Sequence, residues 1–178
     1  TDITLVGRDP AFEPVIRFSL NHSNAITSVS ESLKKDTLKT FKIDNKITVI
    51  PNFINIKEYN LVRDESIKRK YAPNGEKLLV HISNFRKVKR VKDLIHIFNK
   101  VKNKFAAKLI LVGDGPEKPS IELLCRQLNI THDVIFLGKI ADPKEILSVS
   151  DLFLLPSETE SFGLSALEAM AMKVPVIS

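Results

Sequence analysis

The stretch Leu78-Leu79-Val80-His81-Ile82 is almost wholly apolar and leads into a polar, basic loop. A continuous apolar run of this length is typical of a strand that is buried on both faces of a sheet. Similar runs follow, separated by segments with helical periodicity, at 108–112, 134–137, 151–155 and 174–177. Strands that alternate with amphipathic helices predict a parallel sheet covered on both faces. The predicted fold class is therefore α/β, with a doubly wound parallel sheet.

A shorter unit precedes this series. Its pattern predicts a helix at 14–21, a strand at 25–29, a helix capped by Ser30 that runs to about Phe41, and a strand at 46–51. A polar stretch, 52–74, separates the two units and contains a charged helix near 64–71. We therefore predict a domain boundary that divides 1–50 from 51–178. Because the chain ends within an apolar strand, we expect it to be a fragment of a longer protein.

Composition and charge exclude several classes of protein. The chain has 178 residues, a formal net charge of +6, 7% aromatic residues and one cysteine. A single cysteine excludes an internal disulfide framework, and the spacing of Cys125 from Ile121 and Leu128 favours core packing over a reactive thiol. No apolar segment is long enough to span a bilayer and no signal peptide is visible, so we expect a cytoplasmic protein without a membrane partner. No nucleic-acid-binding module is recognisable either.

The positive charge is concentrated at 85–92. Most of it lies in the loop that follows the first strand of the larger unit, Ser83-Asn84-Phe85-Arg86-Lys87-Val88-Lys89-Arg90. Lysine acts on a diphosphate as a point charge and arginine as a two-pronged donor. The carboxyl end of a parallel strand is where such sheets bind ligands, which favours an anion site. The alternative is a solvated basic loop.

Two glycine turns follow the next two predicted strands. Gly113-Asp114-Gly115-Pro116 permits a tight turn and a close backbone approach, but its spacing matches neither a P-loop nor the dinucleotide fingerprint. Gly138-Lys139 repeats the arrangement, and its backbone is a candidate contact for a nucleobase. A plain turn is the alternative for both.

The segment 156–170 places two carboxylates, Glu160 and Glu168, eight positions apart around a Phe162-Gly163-Leu164 turn that opens a helix. Backbone N–H groups at a helix N-terminus attract phosphate, and carboxylates beside them suit sugar hydroxyls. The pattern therefore indicates a nucleotide-sugar site. The alternative makes Glu160 a solvated loop acid and Glu168 a surface acid, although glutamate is rarely placed among apolar neighbours unless it is paired.

Two other kinds of site are not supported by the sequence. The four histidines do not form a cluster with cysteine or aspartate at metal-ligand spacing. A Ser-His-Asp hydrolase is not supported, because there is no Gly-x-Ser-x-Gly elbow.

Taken together, four motifs resemble one known family: Glu160 and Glu168 with Phe162-Gly163, Gly113-Asp114-Gly115-Pro116, Phe136-Leu137-Gly138, and Val49-Ile50-Pro51-Asn52. That family is the GT-B retaining glycosyltransferases of family four, and the resemblance covers nearly the whole chain. Three stretches, 1–7, 14–19 and 82–86, are similar to the members that act in bacillithiol biosynthesis.

The resemblance implies that 1–50 is the tail of an acceptor-side N-terminal domain and 51–178 a truncated, Rossmann-like donor-nucleotide-binding domain. It implies transfer of N-acetylglucosamine from UDP-GlcNAc to the hydroxyl of L-malate, with retention and with neither a metal ion nor another cofactor. The partners would be a nucleotide-sugar and a small hydroxy acid, with no nucleic acid, and a homo-oligomer stays open. The alternatives are another acceptor, or a non-catalytic nucleotide-binding or interaction module.

The same resemblance assigns roles to individual residues. Glu160 would contact the donor sugar and Glu168 the ribose, while the backbone of 162–164 would hold sugar or phosphate. Lys89 matches the family's diphosphate lysine, so Glu160 and Lys89 are the predicted catalytic residues. The remaining predicted donor contacts are Asn84, Arg86, Arg90, Gly113, Gly138, Lys139, Phe162, Gly163 and Leu164.

Several positions depart from the family or concern the acceptor. Asn84 stands where the family has an arginine, so Arg86 or Arg90 would supply that charge. Arg17 is the candidate for binding a malate carboxylate, and the alternative is a helix-surface arginine. Lys173 stands where the family has a glycine, which is favoured at a left-handed helix cap. Because most of the N-terminal domain is missing, we expect the 178-residue chain alone to be inactive or nearly so.

Overall fold

The structure is a computed structural model that describes residues 3, 7, 9–60 and 63–178. These residues form two compact units. One contains the described residues up to Phe53 together with Thr159–Leu164, and the other contains Ile54–Glu158 and Ser165–Ser178. Most of the stretch 1–7, which contributes to the family resemblance, lies outside the described residues.

The first unit is a small α/β arrangement. It contains α1 (Glu13–Asn21), β1 (Ile26–Ser28), α2 (Glu31–Thr40) and β2 (Ile47–Val49). The two strands pair in parallel, with Ile26 opposite Ile47. The Ser30 side chain accepts the backbone N–H of Leu33, which is the predicted cap at the start of α2.

The second unit carries a five-stranded parallel sheet in the order β5-β4-β3-β6-β7. Its strands are β3 (Lys77–Ile82), β4 (Ala107–Val112), β5 (Val134–Gly138), β6 (Leu152–Leu154) and β7 (Val176–Ile177). The helices are α3 (Glu65–Tyr71), α4 (Val91–Lys102), α5 (Lys118–Gln127), α6 (Lys144–Val149) and α7 (Leu164–Ala171). The strand order reverses at β3, so the doubly wound parallel fold is confirmed, and the reversal creates a crevice between β3 and β6.

Alternate residues of the central strands enter two separate cores. Leu79, Leu109 and Leu111 pack with α4 and α5, whereas Leu78 and Val80 pack on the opposite face with α6 and α7. This two-sided burial explains why the strands are apolar at nearly every position. Cys125 lies in the first core at 1% exposure, where burial and, to a smaller extent, Glu122 raise the pKa of its thiol to about 11. Core packing of Cys125 is therefore confirmed.

One carboxylate ties the start of β3 to β6. Asp151 accepts the Leu78 N–H at 2.8 Å and forms ion pairs with Lys68 at 3.0 Å and Arg63 at 3.1 Å. Burial raises the pKa of the Asp151 carboxyl, but the hydrogen bonds from Leu78, Lys68 and Arg63 outweigh burial and hold the pKa below its usual value. Asp151 thus fixes β3 beside β6, the pair of strands that borders the crevice.

Helix α7 ends in a Schellman motif. The N–H of Lys173 donates to the carbonyl of Met170, and that of Val174 donates to the carbonyl of Ala169. The motif requires a left-handed residue, and Lys173 has φ +61°. The family's glycine position is therefore a left-handed cap here, occupied by a residue with a Cβ.

None of the helices within the described residues is long and apolar enough to cross a membrane.

Candidate functional site

Backbone hydrogen bonds join the loops at the carboxyl ends of four strands. Gly113 donates its N–H to the Gly138 carbonyl at 2.7 Å, which links the ends of β4 and β5. Glu117, after β4, donates to the Phe85 carbonyl at 3.0 Å, and Glu158, after β6, donates to the Val88 carbonyl at 2.9 Å. The loops that the sequence singled out are therefore neighbours along one edge of the sheet, as parallel strands require.

The glycines of the second loop allow it to approach the first. A Cβ atom at position 113 would lie 1.8 Å from the Ser83 carbonyl oxygen, and one at position 115 would lie 2.0 Å from the Asn84 carbonyl oxygen. Gly113 also has φ +122°, which disfavours any side chain. Both glycines are thus needed for packing against the basic loop, whatever they contribute to ligand binding.

The basic loop forms one turn of 3-10 helix at Lys87–Lys89 before α4 begins. Lys89 is half-buried, whereas Asn84 and Arg86 are exposed. Arg90 is left-handed at φ +51° and pairs with Asp93 at 2.6 Å, so its charge is partly compensated within its own helix. The loop therefore presents several cations at the carboxyl end of β3, close to the crevice.

A buried histidine connects the start of this loop to the neighbouring strand β6 through hydrogen bonds. His81 is fully buried in β3, and its Nδ1 donates to the Leu154 carbonyl at 2.8 Å because a carbonyl oxygen can only accept. Its Nε2 lies 2.8 Å from the Ser83 hydroxyl oxygen, which also accepts the Phe85 N–H at 3.3 Å. This chain of bonds connects β6 to the start of the basic loop. The sequence predicted burial of His81 but not this network.

The carboxylate-bearing segment opens its helix directly after the Phe162-Gly163 turn. Helix α7 starts at Leu164, and Gly163 precedes it with φ +83°. Glu160 and Phe162 are half-buried, whereas Leu164 is 41% exposed. Gly163 therefore provides the left-handed turn into α7, and the backbone N–H groups of the first helical turn follow it.

Glu168 has a partner that the sequence did not reveal. The hydroxyl of Tyr59 donates to Glu168 Oε1 at 3.1 Å, although the two residues are 109 positions apart. Burial, followed by the charge and hydrogen bond of Glu168, raises the pKa of Tyr59 to about 12. Glu168 is half-buried on α7, so the prediction that it is not a plain surface acid agrees with its surroundings.

Three other predicted contacts lie on exposed or open positions. Gly138 has φ +68°, and a Cβ there would meet no atom within 4 Å, so the space above this turn is open. Lys139 beside it is exposed. The Arg17 side chain is 44% exposed and lies 3.7 Å from Glu13 one helical turn away, a contact that a helix-surface arginine would also make. The role of Arg17 in acceptor binding stays a prediction.

A cavity of about 680 Å³ lies elsewhere, between α4 and the β6–β7 edge of the sheet. Residues such as Ile97, Leu155 and Ile177 line it. The sequence spacing predicts that Ile97 shares one apolar face of this helix with Leu94, Phe98 and Val101. Ile97 is 49% exposed there, whereas Ile95 is buried. The apolar lining does not suit a diphosphate, which needs cations or N–H donors.

Within the described ranges, no group of three or more histidine, cysteine, aspartate or glutamate residues is placed to hold a metal ion.

Comparison with family models gives two matches. The model described as glycosyl transferases group 1 matches residues 62–178, and the model described as glycosyltransferase family 4 matches residues 3–58.

Several known proteins are similar to this chain over nearly its whole length. The N-acetyl-alpha-D-glucosaminyl L-malate synthase of Bacillus anthracis is 47% identical over 178 residues, which cover 99% of this chain and 47% of that protein. A crystal structure of S. aureus TarM in complex with fondaparinux, alpha-GlcNAc-glycerol and UDP has 28% identity and a TM-score of 0.74, over 93% of this chain and 32% of that one. Sucrose-phosphate synthase from Thermosynechococcus elongatus has the same fold, with a TM-score of 0.80 at 24% identity, over 94% of this chain and 43% of that one. The chain thus spans about half the length, or less, of the proteins that it matches.

Proposed function

Because the chain belongs to the glycosyl transferases group 1 family, whose model matches residues 62–178, we propose that it is part of a retaining glycosyltransferase. We propose further that it transfers N-acetylglucosamine from UDP-GlcNAc to the hydroxyl of L-malate. The observation that carries the donor assignment is the set of linked loops at the carboxyl edge of the sheet. There the basic loop, two glycine turns and the half-buried Glu168 belong to one unit. The 47% identity to the malate synthase supports the choice of sugar and acceptor.

In this proposal the donor diphosphate is bound by cations and backbone N–H groups rather than by a metal ion. Lys89 supplies a point charge, and Arg86 supplies planar donors in place of the arginine that Asn84 replaces. The first turn of α7 adds N–H donors and the positive end of its dipole. UDP in the TarM complex supports a uridine diphosphate as the leaving group.

The reaction would be a front-face displacement. The bond from the sugar C1 to the β-phosphate oxygen breaks while a bond from C1 to the malate hydroxyl oxygen forms on the same face. The departing phosphate takes the hydroxyl proton, so atoms and charge balance without a separate base. Lys89 and the α7 N-terminus stabilise the charge that develops on the phosphate, and Glu160 holds the sugar hydroxyls.

Donor binding is tested by titrating UDP and UDP-GlcNAc into this chain and into a protein extended to the length of its relatives. We expect Lys89→Gln to weaken UDP binding about ten-fold, because a charge-assisted contact to phosphate is lost. Lys100→Gln, which removes an exposed lysine of α4, is the matched control and should leave the affinity unchanged. Equal affinities of the two variants would contradict the site.

Transfer is tested with the extended protein, UDP-GlcNAc and L-malate. Mass spectrometry should detect one N-acetylhexosamine added to malate, and the anomeric proton coupling should show the α linkage that retention requires. The 178-residue chain is expected to show little or no turnover. A product formed with other hydroxy acids but not with malate would overturn the acceptor assignment and leave the donor assignment standing.

A further inference from the structure

Tyr59 lies directly after a turn of 3-10 helix, Ile56–Glu58, in the segment that precedes α3. Its hydroxyl donates to Glu168 Oε1 at 3.1 Å, and Tyr59 and Glu168 are both half-buried within the second unit. The predicted donor site uses Glu168 but includes no partner for it, so the contact adds a residue to that site.

The Tyr59 ring is itself held in place. The Lys144 ammonium lies 5.3 Å from the ring centroid, within the range of a cation–π contact. Lys144 is held in turn by Asp142 at 3.0 Å and by Glu58 at 3.9 Å, and its side chain is only 21% exposed. A tyrosine hydroxyl is protonated at neutral pH, and the raised pKa of Tyr59 extends this to higher pH, so the hydroxyl remains a donor. The carboxylate therefore meets a fixed donor rather than a mobile one.

A fixed donor matters because the carboxylate end of glutamate rotates through a broad, roughly two-fold torsion. The hydrogen bond from Tyr59 restrains the plane of the Glu168 carboxylate. Each carboxylate oxygen has two acceptor positions, so Oε1 can accept from Tyr59 and from a ligand at once. The restrained group then presents Oε2 and the second position of Oε1 side by side. Two adjacent acceptors in a fixed plane match the two adjacent hydroxyls of a ribose.

We propose that Tyr59 is a positioning residue for the ribose of the donor nucleotide: it orients the Glu168 carboxylate to accept from both the 2′- and the 3′-hydroxyl. This inference rests on the proposed function, in which Glu168 faces the ribose. It assigns to the Tyr59–Glu168 pair the preference for a ribonucleotide over a 2′-deoxyribonucleotide.

The test compares UDP with 2′-deoxy-UDP by calorimetry on this chain and on Tyr59→Phe, which keeps the ring and removes only the hydroxyl. We expect Tyr59→Phe to bind UDP about five-fold more weakly, since one hydrogen bond to a charged group no longer orients the acceptor. Its affinity for 2′-deoxy-UDP should change by less than about two-fold, so that the ratio of the affinity for UDP to that for 2′-deoxy-UDP falls. Tyr71→Phe is the control, because Tyr71 is the other tyrosine and packs against the second core.

The outcomes separate this inference from the proposal on which it rests. If neither the unaltered chain nor the extended protein binds UDP, the proposed donor site falls and this inference falls with it. If the unaltered chain binds UDP and Glu168→Gln weakens binding, but Tyr59→Phe leaves the nucleotide preference unchanged, only this inference is overturned. A lower melting temperature for Tyr59→Phe with an equal loss for both nucleotides would mean a purely structural contact and would also overturn it.

Discussion

Replacing Asp151 with asparagine isolates the contribution of one charge to the sheet. Asparagine has nearly the same shape and can still accept the Leu78 N–H, which the carboxylate accepts at 2.8 Å. It cannot form the ion pairs with Lys68 at 3.0 Å and Arg63 at 3.1 Å. The substitution therefore leaves the Lys68 ammonium, whose side chain is only 13% exposed, without its carboxylate.

The exposure of the three side chains sets the size of the effect. Breaking a fully buried ion pair costs about 3–5 kcal/mol and breaking an exposed one costs less than about 1 kcal/mol. The Asp151 side chain is 18% exposed and that of Arg63 is 39% exposed, so the site lies between these limits. We expect Asp151→Asn to lower the free energy of unfolding by about 2 kcal/mol. For a chain of this size that loss corresponds to a melting temperature lower by about 4–8 °C.

The loss of stability caused by Asp151→Asn should become smaller at low pH. The pKa of Asp151 is held below its usual value in the folded state, so its charge stabilises the fold above the unfolded-state pKa of about 4. That contribution disappears as the pH falls through the lowered pKa and the carboxyl takes up a proton. The difference in unfolding free energy between the chain and Asp151→Asn should stay constant from pH 7 to about pH 5 and shrink below about pH 4.

Urea unfolding followed by circular dichroism measures the difference, and a double-mutant cycle with Lys68→Met measures the coupling of that pair. Asp93→Asn is the control, because its ion pair with Arg90 is about half exposed on both sides and should be worth less than about 0.5 kcal/mol. An effect of Asp151→Asn as small as that of the control, or one that persists unchanged at pH 3, would refute the reasoning.

Three further predictions use other features of the second unit. Gly113→Ala should destabilise the fold by more than about 2 kcal/mol and weaken UDP binding, since its Cβ would meet the Ser83 carbonyl; Gly75→Ala, with positive φ but open space, should cost only about 1 kcal/mol in the same urea titration. Lys173→Gly should raise the melting temperature by about 2 °C, because glycine removes the backbone strain of the left-handed cap. Asn129→Gly, at the matching cap of α5 with φ +56°, should raise the melting temperature less, because asparagine tolerates that conformation. Calorimetric scans that rank the two variants in the opposite order would contradict this explanation. Cys125, with its thiol pKa raised to about 11, should react with a thiol reagent only when the chain unfolds. Its labelling rate at pH 8 should therefore rise with the unfolded fraction as urea is added.

The sequence predicts the fold well because the decisive signal is local and repeated. Each strand of the larger unit is apolar at nearly every position, and only burial on both faces explains such a run. The turn glycines and the basic loop follow strand ends, so their convergence also follows from the predicted topology. Ile97 shows the limit of helical periodicity, since the spacing alone does not show which edge of the apolar stripe is covered.

The partners of the candidate site are harder to predict. Tyr59 and Glu168 meet across 109 positions, and His81 meets the Leu154 carbonyl across 73. Neither contact leaves a pattern in the sequence, because each depends on the exact distance between packed elements. Residue types that carry chemistry can be recognised from motifs, whereas the groups that orient them emerge only from tertiary structure.

The bonds among the loops have a consequence for their motion. The N–H groups of Gly113, Glu117 and Glu158 are each protected from solvent exchange only while two different loops stay together. Opening of any one loop exposes donors or acceptors that belong to another, so the loops should open as one cooperative unit. Hydrogen exchange should therefore show similar protection for these three amides. A nucleotide that touches only the basic loop should slow exchange at all three.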